Sequence, residues 1–125
     1  MRKIIETQSA PAAIGPYSQA VMVDSFLYVS GQLGLNPKTG NLEGDNIQSQ
    51  TKQSLSNIKA ILGEAGYDFS NVVKTTVFLS DIALFADFNA VYSEAFPCNA
   101  PARSCVAVKG LPKNALVEIE VVAHK

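Results

Sequence analysis

The sequence predicts a single α+β domain over residues 1–125, a mixed sheet of about six strands with two helices packed on one face. Three observations carry this. The chain of 125 residues is 47% apolar, enough for one core, since a domain of this size buries about two-thirds of its unfolded surface. Apolar residues recur with a period near two in several short stretches and at steps of three and four in a longer one, and a second long stretch lies between a capping Asp81 and Pro97. The two kinds of stretch alternate along the chain, and no repeat, low-complexity run or interdomain linker separates them.

"RKIIE" (2–6) is a candidate first strand, and the small, Pro-bearing "TQSAPAAIGPYSQ" after it is loop. "AVMV" and "FLYVSG" read as strands joined at Asp24 and Ser25, a hairpin signal. "NPKTG" (36–40) is a second turn. From Asp45, Ile47, Thr51, Leu55, Ile58, Leu62 and Ala65 form one stripe of a helix, with Asp45 as its N-cap and Gly66 as its stop.

"VVKTTVFLS" (72–80) predicts a strand with Val73, Thr75, Val77 and Leu79 on one side. Asp81 reads as the cap of a second helix over "IALFADFNAVYSEAF", which ends before Pro97 because the residue preceding proline disfavours helical geometry. Strands near 104–109 and 115–123 complete the set. In the last, Val117, Ile119, Val121 and Ala123 share a wholly apolar face, and Leu116, Glu118, Glu120 and Val122 share the other. Helices on one side leave the second side of the sheet uncovered, and burial against copies of the same chain is the simplest remedy. The expectation is a homo-oligomer.

Ten basic and eleven acidic side chains leave a formal net charge of −1, which argues against a general electrostatic grip on nucleic acid or anionic lipid. The N-terminus lacks the apolar run of a signal peptide, and no stretch approaches the roughly 18 apolar residues of a membrane span. A cytoplasmic protein is expected, and the two cysteines, Cys98 and Cys105, fit a reducing compartment. One histidine, His124, and two cysteines make a poor metal set, so no metal is expected. The glycines of "GPYSQ" and "SGQLG" lack phosphate-loop spacing.

What remains for chemistry is Arg103 at the entrance of an apolar strand, Glu118, Glu120, Cys105 and several hydroxyls. Arg103 and Cys105 alternate onto one strand face. A guanidinium there is either a structural or surface residue or a carboxylate receptor, for which its rigid fork of donors is suited. Glu118 and Glu120 are either a solvated face or working carboxylates. Cys105 is a small buried hydrophobe or a nucleophile. Tyr17 packs or binds, Ser30 bonds backbone or ligand, and Asn89 faces solvent or a site. Periodicity leaves each of these open.

The segments "APAAIGPYSQAV", "VSGQLGLNPKTG", "QSLSNIKAIL", "VVKTTVFLSD", "FNAVY" and "PARSCVAVKGLPKNALVEIEVVA" occur in the order and approximate spacing of the RidA family, also called YjgF/YER057c/UK114. The chain resembles that family over nearly its whole length. The resemblance implies a chorismate mutase-like fold, a homotrimer with a small-molecule cleft at each subunit interface, and cofactor-free hydrolysis of enamines and imines such as 2-aminoacrylate and 2-aminocrotonate to 2-oxo acids and ammonia.

It further implies that Arg103 clamps the substrate carboxylate and Glu118 positions the attacking water. Tyr17 would close over the substrate, Cys105 would supply mainly backbone contacts, and Ser30 and Asn89 would complete the pocket. The departure is "SEAFPCNA" (93–100), which reads as a few residues shorter than the family pattern and bears on pocket shape. Two other functions stand beside the deaminase: a non-catalytic regulator binding a small carboxylate, and an endoribonuclease. Absence of Trp, weak acidity and lack of a basic patch count against the last.

Overall fold

The computed structural model describes residues 1–125. Six strands, β1 (Arg2–Ile5), β2 (Ala20–Val23), β3 (Phe26–Leu33), β4 (Val72–Leu79), β5 (Ala102–Ala107) and β6 (Val117–His124), form one sheet in the order β1-β2-β3-β6-β4-β5. Only β4 and β5 pair in parallel. Parallel neighbours need a crossover, and α2 (Phe85–Ala95) supplies it; α1 (Ile47–Glu64) links β3 to β4. The expected α+β architecture is therefore the observed one, with both helices on one face.

The caps differ in detail from the expectation. The N-cap of α1 is Asn46, one residue after Asp45, because Asn46 is the last extended residue (φ −119°, ψ 159°) and its Oδ1 accepts the Ser49 N–H at 2.8 Å. At the other end Gly66 takes φ +81°, letting the Tyr67 N–H reach Leu62 O (2.8 Å) and its own N–H reach Gly63 O (3.0 Å), a paired closure that satisfies two orphan carbonyls. Asp81 caps a short 3₁₀ turn, Ile82–Leu84, ahead of α2, and not α2 itself.

Val117, Ile119, Val121 and Ala123 are all at most 2% exposed and pack with Leu27 and Val29 of β3 and Val77 and Leu79 of β4 beneath the helices. Of the β4 set, Val73 belongs on the opposite side: the β4–β6 register slips between Val72 and Lys74, which turns Val72 inward and leaves Val73 exposed. β5 and β6 start at Ala102 and Val117, two residues before and after their expected starts. Phe88, wholly buried, is the largest such side chain, and its truncation to Ala should cost about 3–5 kcal/mol.

Helix α1 also buries a polar stripe. Ser54 Oγ donates to Gln32 O (2.7 Å), and Asn57 Nδ2 donates to Leu33 O (3.1 Å) and Leu35 O (2.9 Å). Gln50 donates to Gly44 O and accepts the Leu116 N–H. These side chains satisfy backbone groups of β3, of the loop after it and of Leu116 just before β6. Gly34 makes the fit possible, since a Cβ there would stand 2.8 Å from Gln50 Cα.

The other face of the sheet has no layer over it. Ile4, Phe26, Tyr28 and Val106 are between 41% and 58% exposed there, and Phe26 stacks with Tyr28 and His124. Glu118 and Glu120 lie on the same uncovered side, by alternation with the buried Val117, Ile119 and Val121.

Candidate active site

The candidate residues fall into two groups, and the sheet separates them. Tyr17, Ser30 and Glu118 line one cleft of about 590 Å³ on the uncovered face, together with Gly31, Leu33 and Pro112. Arg103, Cys105 and Asn89 gather at the β5 edge on the helix side. The register fixes this division. Thr75 pairs with Arg103 and Val77 with Cys105, whereas Phe78 pairs with Glu118, so Arg103 follows the inward phase and Glu118 the outward one.

The cleft around Glu118 is shaped by a bulge. Val29 pairs with Val121 and Gln32 with Ile119, so Ser30 and Gly31 together oppose the single residue Glu120. Both are thereby presented beside the carboxylates. A Cβ on Gly31 would lie 2.7 Å from Glu118 Oε1, so a side chain there would displace that carboxylate. Ser30 Oγ donates to Ser18 O at 2.6 Å, and the Ser30 N–H donates to Gln19 O at 2.9 Å. With its proton committed to Ser18, the Ser30 hydroxyl offers a lone pair toward the cleft and is suited to accept from an N–H or a water.

Tyr17 follows Gly15, whose φ of +141° suits glycine, and half of the tyrosine is exposed at the cleft. The loop bearing it is tied down by buried Gln19, whose Nε2 reaches Thr7 O (3.1 Å) and Pro11 O (2.8 Å) and whose Oε1 accepts the Thr7 N–H (2.7 Å). Glu118 is half-buried. Burial first, and the nearby Glu120 second, hold its carboxyl above its ordinary pKa.

In the second group Arg103 Nη1 donates to Asn89 Oδ1 at 2.7 Å, and the guanidinium carbon lies over the rings of Tyr92 (4.7 Å) and Phe85 (5.4 Å). No carboxylate pairs with it; the chain's ion pair joins the N-terminus to Asp24. A half-buried, permanently charged fork with most of its donors unused has the chemistry to bind an anion from outside the fold. Cys105 is half-buried beside it, and desolvation pushes its thiol pKa up while the Arg103 charge pulls the other way. Burial thus disfavours the thiolate that a nucleophile would require. No group of three or more His, Cys, Asp or Glu is placed to hold a metal ion.

Sequence reasoning did not find Phe85, Tyr92, Thr75 or Gly31. The aromatic pair is invisible as periodicity because helix α2 uses it as core as well as cradle. Gly31 did carry a signal, a glycine inside a strand pattern, which marks bulges. Of residues 93–100, residues 93–95 close α2 and the rest lead through Pro101 into β5, with Asn99 at φ +50°.

Residues 7–125 match the family described as endoribonuclease L-PSP. Over 123 residues the chain is 53% identical to a bovine (Bos taurus) protein named 2-iminobutanoate/2-iminopropanoate deaminase, covering 98% of this chain and 90% of that one. It is 57% identical over 122 residues to a Lactococcus lactis protein named AldR and described only as a candidate regulator, covering 98% of this chain and 97% of the other. Among solved structures, Escherichia coli TdcF with bound serine superposes with a TM-score of 0.94 at 45% identity, over 98% of both chains.

Proposed function

The chain belongs to the endoribonuclease L-PSP family, the RidA family that its motifs resemble, and from that membership we propose that it hydrolyses 2-imino acids, the tautomers of 2-aminoacrylate and 2-aminocrotonate, to 2-oxo acids and ammonia. The observation that carries the reading is the unpaired guanidinium of Arg103 in its aromatic seat. A 2-imino acid brings a carboxylate to it, and a bidentate bond would fix the adjacent C=N carbon.

Arg103 and Glu118 cannot meet one ligand within a single copy, because they stand on opposite faces. The uncovered apolar face and the open β5 edge suit a ring of copies, with the Arg103 edge of one laid against the Glu118 cleft of the next. A homotrimer with three such clefts is the arrangement we propose. In it, Glu118 takes a proton from water as oxygen adds to the carbon of the N-protonated imine. Glu118 returns that proton to the carbinolamine nitrogen, then takes the hydroxyl proton as C–N breaks and C=O forms, releasing ammonia. Asn89 holds Arg103, and Ser30 accepts from the nitrogen or the water. Free imines already hydrolyse in water, so positioning plus general-base help, the latter worth about 10²- to 10⁴-fold, is sufficient.

The name carried by the Lactococcus lactis relative favours one other reading, a regulator that holds a small carboxylate without turnover. Imine generated in situ from threonine by a dehydratase separates the two. The deaminase accelerates 2-oxobutanoate release and Arg103→Ala abolishes the acceleration; saturable 2-oxobutanoate binding without acceleration would select the regulator.

A further inference from the structure

Arg103 needs something to hold it. A half-buried guanidinium is normally steadied by a carboxylate, which would also neutralise the charge a ligand needs. Here the seat is made of π faces and one amide oxygen. Tyr92 is the nearest ring, 4.7 Å from the guanidinium carbon, and it is 5% exposed. Its ring sits in a file with Phe88 (5.3 Å between centroids) and Phe96 (4.9 Å), so it cannot tilt without moving the core.

Its hydroxyl is fixed as well. Tyr92 Oη and Thr75 Oγ1 are 2.8 Å apart, and Thr75 is fully buried on β4 as the register partner of Arg103 on β5. The cation beside the ring favours the arrangement in which the tyrosine O–H donates to Thr75 and leaves its lone pairs toward Arg103. One threonine thus locates the two elements that define the clamp, the strand carrying Arg103 and the helix ring beneath it.

We propose that Tyr92, anchored by Thr75, is the positioning residue that holds the Arg103 guanidinium in place for a substrate carboxylate while leaving its charge unneutralised. This rests on the carboxylate-clamp reading above. Phe85 and Phe88 flank the same cation at 5.4 and 6.0 Å, and Tyr92 differs from both in having a polar tether to the strand that bears the arginine.

The test compares Tyr92→Phe, Tyr92→Leu and Thr75→Val with the wild type in imine hydrolysis and in calorimetric binding of 2-oxobutanoate. Removing the π face in Tyr92→Leu should raise both KM and the 2-oxobutanoate Kd about tenfold, with kcat changed by no more than about twofold, since the clamp acts on ground and transition states alike. Tyr92→Phe keeps the ring and should recover most of that loss, while Thr75→Val frees the tether and should raise KM and Kd about threefold.

Unchanged KM and Kd in Thr75→Val and Tyr92→Leu would overturn the proposal. So would a Tyr92→Phe variant as impaired as Tyr92→Leu. If Tyr92→Leu does not fold, Thr75→Val and Tyr92→Phe decide alone. A wild type that binds 2-oxobutanoate without accelerating hydrolysis refutes the deaminase reading and leaves the Kd series to judge the cradle. A wild type that neither binds nor accelerates refutes both.

Discussion

Arg103 and Glu118 occupy opposite faces of one sheet, the first paired through its backbone to inward-facing Thr75 and the second to outward-facing Phe78. Neither has an ion partner in its own chain. A cation without a counter-ion and a carboxylate with a raised pKa are complementary needs, and the assembly we propose would bring them together. The remaining expectations follow from how each half is built.

Glu118 acts as a base only when ionised, so the acid limb of kcat/KM should follow its titration; burial and Glu120 hold its proton on within one copy, and the Arg103 charge that the proposed assembly brings opposes them. Glu120 is the second cause of that shift, so Glu120→Gln should move the limb to lower pH, and Glu118→Gln should remove it together with most of the rate. A pH profile of imine hydrolysis for the three proteins measures this; an unmoved limb in Glu120→Gln contradicts the electrostatic account.

The same shift predicts a stability effect. Since the folded pKa of Glu118 is raised, the native chain binds that proton more tightly than the unfolded chain, and stability falls as pH rises from the ordinary value through the raised one. As a single copy, Glu118→Gln should therefore melt higher than the wild type above that window and at the same temperature below it, and a partner's Arg103 charge beside the carboxylate would work against that difference. Thermal melts at acidic and neutral pH compare them.

Gly31→Ala should impair catalysis with little effect on folding. The new methyl would overlap the Glu118 carboxylate, and a side-chain end can swing aside at small cost. A loss of about 10²-fold in kcat is expected from a displaced base, with KM nearly kept because the clamp lies elsewhere. Gly34→Ala is the contrast: its methyl meets the backbone of α1 at Gln50, which cannot yield, and the melting temperature should fall sharply.

Cys105 should alkylate slowly at neutral pH and Cys98 quickly, since desolvation keeps the Cys105 thiol protonated while Cys98 is exposed. Arg103→Ala removes the opposing influence and should slow Cys105 further. Mass spectrometry of iodoacetamide time courses reads both rates, and a fast Cys105 would restore it as a candidate nucleophile.

How much of this was legible beforehand depends on which force set each feature. The alternation in "LVEIEVVA" correctly placed Val117, Ile119, Val121 and Ala123 inside, because hydrophobic burial on a pleated strand has no competing solution. Val73 was misplaced because a bulge shifts the phase by one residue without leaving a mark in composition. The cap moved from Asp45 to Asn46 because both side chains can cap and only the backbone turn chooses between them. The polar stripe of α1 was unreadable in another sense: Gln50, Ser54 and Asn57 look like a solvated face until the exit of β3 lies against them. For the candidate site, the family resemblance supplied the residues, and their division between two faces needed the register.

That division is also what the account stakes most on. Arg103→Ala and Glu118→Gln should each be nearly inactive, and each should still assemble. Unfolded together in equal amounts and refolded, they should recover roughly a quarter of wild-type imine hydrolysis, the share of random interfaces that pair an intact Arg103 edge with an intact Glu118 cleft. Activity of the mixture no greater than the sum of the two variants alone would mean that the halves do not meet across subunits, and would contradict the composite site.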